Sequence, residues 1–108
     1  MHKKIYIIRH AESAYNAAQT ALKAKYSKTE QNYLKTEEYL EMKFDPKYED
    51  CDITPAGFKQ CEGCRQKMKD IDVDLVIVSP LRRSITTCFQ VFKGHKSNAP
   101  VIVDPIFR

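Results

Sequence analysis

No apolar run in this sequence is long enough to cross a bilayer, and the opening Met1-His2-Lys3-Lys4, followed by four apolar residues, is too short for a secretory signal. The expected compartment is therefore the reducing cytoplasm. There is no strongly one-sided charge: 18 Lys and Arg stand against 14 Asp and Glu, a formal net charge of +4. No basic stripe interleaved with aromatics appears, so nucleic acid is not an expected partner, and neither is a membrane. No repeat and no Gly/Ser linker divides the 108 residues, which fit one domain at most.

The four cysteines, 51, 61, 64 and 88, are not read as a disulfide framework, because nothing points to secretion. Cys61 and Cys64 have the spacing of a metal pair. A zinc site would need a second matching pair, and only Cys51, His2 and His95 are on offer. Three apart on a helix, in line with Gly57 and Met68, the two read better as small core residues.

What the chain does contain is alternation. Ile5 to Ile8 and Val73 to Val78 are short, continuous and β-branched, as in strands covered on both faces of a parallel sheet, and Val101 to Val103 is a third candidate. Thr54-Pro55 is a cap followed by proline at the first helical position, which predicts a helix to about Lys69. Pro80 opens another, with Leu81, Ile85, Cys88 and Phe92 on one face, until Gly94 ends it. Ala17 to Asp50 is rich in Lys, Glu, Tyr and Gln and free of glycine. It predicts one or two exposed helices lying over the sheet edge and ending at Asp45-Pro46. The class is α/β.

In such a sheet, ligands gather beyond the carboxyl ends of the strands. Arg9 and His10 follow the first predicted strand, and Ser79-Pro80-Leu81-Arg82-Arg83 follows the second. Two cationic βα junctions, each with a helix N-terminus, make a site for a dianion such as phosphate. An arginine fork suits phosphoryl oxygens, and a neutral imidazole among fixed arginines is a competent nucleophile toward phosphorus. The implied reaction is phosphoryl transfer to His10 and then to water or another acceptor.

Arg9-His10-Ala11-Glu12-Ser13-Ala14-Tyr15-Asn16 resembles the opening pattern of the histidine phosphatase family, the group that includes the cofactor-dependent phosphoglycerate mutases. That pattern is Arg-His-Gly, Glu or Gln, Ser or Thr, two free positions and Asn. Ala11 for Gly is the one departure, tolerable where the backbone need not take a positive φ. "DITPAGFKQC" (52 to 61) resembles the family's Leu-Thr-x-x-Gly-x-x-Gln-Ala block. "VIVSPLRRSITTC" (76 to 88) resembles its Ser-Ser-Pro-Leu-x-Arg-Ala-x-Gln-Thr-Ala block.

The resemblance implies a three-layer α/β sandwich with a mostly parallel sheet, of which residues 1–108 are one incomplete domain, truncated at the C-terminus, with 17–50 as a helical insertion. It implies His10 as the phosphorylated nucleophile and Arg9, Ser13, Asn16 and Arg83 as ligands of the phosphoryl oxygens, with Arg82 a solvated neighbour. The expected substrate is a phosphorylated small molecule or phosphoprotein. No cofactor or metal is expected, because arginines supply the positive charge. The family's carboxylic acid would follow Phe107-Arg108, and its second histidine would come later still on a strand beside the first. His95 lacks that context. The expectation is a phosphatase, with a mutase or a non-catalytic interaction subunit as alternatives; in the last case another chain, or a missing C-terminal segment, would cover Ile5 to Ile8.

Overall fold

The computed structural model describes residues 4–107, so His2 and Arg108 lie outside the described part. Among the described residues, four α-helices and two strands follow in the order α1 (Ala14–Tyr26), α2 (Glu37–Lys43), α3 (Pro55–Met68), β1 (Val76–Val78), α4 (Arg82–Val91) and β2 (Val101–Val103). Short 3-10 turns occupy Tyr33–Lys35, Pro46–Tyr48 and Pro105–Phe107. The architecture is α/β with a small parallel sheet, β1 pairing β2 in the register Val76 to Val101, Ile77 to Ile102 and Val78 to Val103. α4 is the crossover between them, as parallel pairing requires.

Local chemistry sets the helix starts. The Thr54 hydroxyl accepts from the Gly57 N–H at 3.1 Å and Pro55 stands at the first helical position, so α3 begins where cap and proline direct. Its end is tied down by His95, whose Nε2 donates to the Met68 carbonyl at 2.9 Å while Nδ1 accepts from Ser97 N–H. One imidazole nitrogen of His95 thus satisfies a carbonyl at the end of α3, and the other fixes the ring within its own loop. α4 starts two residues later than the proline suggests, because Leu81 stays extended and the Arg82 N–H is taken by Asp50 Oδ1 at 2.8 Å. Gly94, at φ +68°, turns the chain after α4 in the left-handed conformation that glycine adopts without strain.

The core lies between α3, α4 and the segment before α1: Ala11, Ile53, Cys61, Met68 and Val91 cluster there, with Cys64, Ile71, Val73 and Phe92 against them. Arg65 fastens the two helices by donating from Nε to the Gln90 carbonyl at 2.7 Å. The buried face of α4 is Thr87, Cys88 and Val91 rather than the purely apolar row expected. Thr87 is in the core because it has polar work to do there, described below.

Two expectations are corrected. Ile5 to Ile8 is not a strand of this sheet: none of its residues joins the β1–β2 ladder, and Ile5 and Ile7 are 89% and 93% exposed. β-branched residues favour extended backbone, but a strand exists only where a neighbour completes its hydrogen bonds. Nor is the β1–β2 sheet covered on both faces; β1 packs on α4, while Ile77 and its register partner Ile102 are half exposed.

Cys51, Cys61 and Cys88 are buried, and burial pushes the Cys61 and Cys88 thiols up from their ordinary value, which lowers their thiolate fraction. Cys64 is partly exposed. Iodoacetamide at neutral pH should therefore modify Cys64 first, with the other three reacting only after denaturant is added. Time-resolved intact mass with peptide mapping checks this, and early loss of the Cys61 thiol would refute its place in the core.

Candidate active site

The residues from Arg9 to Asn16 form a loop leading into α1, held by contacts from two other parts of the chain. From the α3 side, Thr54 N–H donates to the Glu12 carbonyl at 2.9 Å, Thr54 Oγ1 donates to Glu12 Oε1 at 2.7 Å, and Gln60 Oε1 accepts from Glu12 N–H at 2.8 Å. Ser13 and Ile53 form an isolated antiparallel bridge, with Ala14 N–H on the Asp52 carbonyl at 3.0 Å. α3 comes so close that a Cβ on Gly57 would lie 2.5 Å from the Glu12 carbonyl oxygen. From the α4 side, Thr87 Oγ1 accepts from Ala11 N–H at 3.0 Å and donates to the Arg83 carbonyl at 2.7 Å. One hydroxyl thereby links the residue after His10 to Arg83, one helical turn away.

His10 is half-buried, and its Nδ1 lies 2.8 Å from the Ala11 carbonyl oxygen. A carbonyl can only accept, so Nδ1 is the protonated nitrogen, and in the neutral ring the lone pair is on Nε2. Arg9, His10 and Asn16 line one open cavity of about 460 Å³, together with Glu12, Gln60 and residues of α1. Asn16 Oδ1 is occupied by Ser13 N–H and Oγ, at 3.2 and 2.9 Å, which leaves its amide N–H groups as donors. Ala11 is buried at 7% exposure, and Asn98 is the one non-glycine residue with positive φ among those described, so alanine meets no strain in the loop.

Not every expected ligand reaches the cavity. Ser13 is 1% exposed, and its hydroxyl accepts from Asn16 N–H as the cap of α1. It spends its oxygen on the helix end, where an unpaired N–H would be costly. The phosphate cradle expected at the helix N-termini is corrected as well. Ala14 N–H is taken by Asp52, Tyr15 N–H by Cys51 Sγ at 3.4 Å and Asn16 N–H by Ser13, while Asp50 occupies the first N–H of α4. Arg83 is half-buried in the first turn of α4 and does not line the cavity. Its charge is felt at Tyr15, whose hydroxyl is pushed up by burial and by hydrogen bonding to Tyr39, with Arg83 pulling the other way. Arg82 is exposed, its Nε 3.7 Å from Asp52 Oδ2.

The sequence reading missed Glu12 and Gln60 as parts of the cavity wall, although both stand inside the blocks quoted above. It also missed Gln19, Thr20, Lys23 and Tyr33, from the segment read as a solvated face. Among the described residues, no three His, Cys, Asp or Glu side chains gather where they could hold a metal ion.

The site so described is a loop carrying Arg9 and His10, braced by α3 and α4 of an α/β domain. The chain belongs to the histidine phosphatase superfamily, branch 1, whose family model matches residues 35–108. The matched span includes the Thr54 and Arg83 blocks and starts after the Arg9 loop. A phosphoglycerate mutase-like protein of Arabidopsis thaliana is 28% identical in an alignment taking in 96% of this chain. The chain spans about a third, 34%, of the length of that relative.

Proposed function

We propose that this chain contributes the nucleophile half of a phosphatase-type active site acting on a phosphate monoester. The reading rests on one observation above all: His10, whose Nδ1 is engaged by its neighbour's carbonyl, lines one cavity with Arg9 and Asn16. In the proposed reaction the Nε2 lone pair attacks phosphorus, the bond from phosphorus to the ester oxygen breaks, and the leaving oxygen departs as an anion that takes its proton from solvent. Water then cleaves the P–N bond, releasing inorganic phosphate and restoring His10. Arg9 and the Asn16 amide bind phosphoryl oxygens, and Arg83 joins them by swinging its guanidinium from the Tyr15 side.

Glu12 is the one carboxyl of the cavity wall, and it is already engaged by Thr54. Esters with good leaving groups, which need little protonation, are therefore the first substrates to try. In this reading the protein is a longer cytoplasmic enzyme with a three-layer α/β sandwich. Transfer to a second hydroxyl instead of water, a mutase reaction, is suggested by the name of the Arabidopsis relative. A non-catalytic interaction role draws on the bare Ile5 and Ile7 side chains, a candidate edge for pairing with another chain.

The test is to trap the intermediate. With phosphoramidate as donor, the chain should gain one phosphate that is acid-labile and alkali-stable, mapped to His10 by mass spectrometry at neutral pH. No label, or label on another residue, would overturn the proposal.

A further inference from the structure

One stripe of α1 forms part of the cavity wall. Asn16, Gln19, Thr20 and Lys23 fall at i, i+3, i+4 and i+7, so they share a face, and all four line the cavity. The stripe carries two amides, a hydroxyl and an ammonium, and α1 contains no acidic residue. Lys25, two residues on, is held by both Glu38 oxygens at 2.8 and 2.9 Å. Lys23 has no carboxylate within ion-pair distance among the described residues, and it is one of the residues that line the cavity. Glu12, the wall's one carboxyl, is held by Thr54. A volume of about 460 Å³ is in the range that takes a small molecule.

We infer that Lys23 is a specificity residue, selecting a small-molecule phosphate ester whose alcohol ends in a second anionic group well separated from the phosphate. This rests on the phosphoryl-binding reading of His10 and adds the substrate class. Seven residues of helix separate Asn16 from Lys23, a rise of roughly 10 Å. An ester with its two charges only two or three carbons apart spans about half of that rise and meets the ammonium only with the Lys23 stem folded back toward Asn16. A longer one lies along the Gln19 and Thr20 donors and ends at the ammonium.

The experiment measures binding by titration calorimetry and by the His10 imidazole resonances, for ω-carboxyalkyl phosphates with two to eight methylenes and for plain alkyl phosphates of the same lengths. The carboxylate should improve binding about three- to fivefold in the longer members, the range open to an exposed lysine pair, and hardly at all in the shortest. Lys23→Gln should bring that ratio close to one, while Lys28→Gln, which removes an exposed charge outside the cavity, should preserve it. If carboxylated and plain esters bind alike at every length while both move the His10 resonances, the inference about Lys23 is wrong and the phosphoryl site stands. If neither the esters nor inorganic phosphate moves His10, the reading of the site fails and the inference with it.

Discussion

Gly57→Ala should destabilise the chain and loosen the His10 loop, whereas Gly63→Ala, six residues along the same helix, should stabilise it. By helix propensity alone each change would gain up to about 1 kcal/mol. At Gly63 nothing lies within 4 Å of the new methyl, so the gain is kept. At Gly57 the methyl would meet the Glu12 carbonyl oxygen at 2.5 Å and Ile53 Cβ at 3.0 Å. Neither can give cheaply. The carbonyl accepts the Thr54 N–H that closes the bridge between Ser13 and Ile53, and Ile53 is buried at 7% exposure. Overpacking of this kind costs about 1 to 3 kcal/mol and exceeds the propensity gain. Net destabilisation of about 1 kcal/mol implies a melting temperature lower by roughly 4 to 8 °C for a domain of this size. Thermal unfolding of the two variants side by side decides the matter, and a Gly57→Ala protein as stable as the parent would mean that α3 does not press on the loop.

That contact also shows which parts of the molecule the sequence could announce. α3 was legible to within a residue because its start depends on chemistry within four positions: a threonine cap, a proline and the N–H groups just beyond. β1 and β2 were legible as apolar runs, although β1 is shorter than Val73 to Val78, since only the part that finds a partner counts as strand. Ile5 to Ile8 has the same composition and no ladder, a difference that lies in its neighbours and not in its residues. Thr87 was invisible as a core residue because hydropathy ranks it polar, yet burial suits it once Ala11 N–H and the Arg83 carbonyl share its hydroxyl.

The site was legible in its types and less so in its geometry. The Arg9 to Asn16 pattern pointed to the residues that gather at the cavity, but a pattern cannot separate a ligand from a brace. Ser13 matches the family position and caps α1; the Ser13-x-x-Asn16 spacing was itself the signal for a capping box, with asparagine in the place usual for glutamate or glutamine. Lys23 was hidden for the opposite reason. It sits in a charged, weakly periodic segment where most lysines face solvent, and only the position of α1 beside the loop sets it apart from Lys25.

His10→Ala should remove catalysis and leave the fold. The imidazole is half exposed and its one hydrogen bond is to the adjacent carbonyl, so its loss opens no cavity in the core and should move stability by no more than about 0.5 kcal/mol. Loss of a nucleophile is of another order. With an activated ester such as 2,4-dinitrophenyl phosphate, turnover should fall by at least about 10³-fold, because the covalent route is closed and water must attack directly. The two effects separate the readings. An enzyme loses turnover and the trapped phosphate together, with an unchanged melting curve. If the variant hydrolyses the ester as fast as the parent, the histidine is not the nucleophile, and the exposed Ile5 and Ile7 become the better guide to what the chain does.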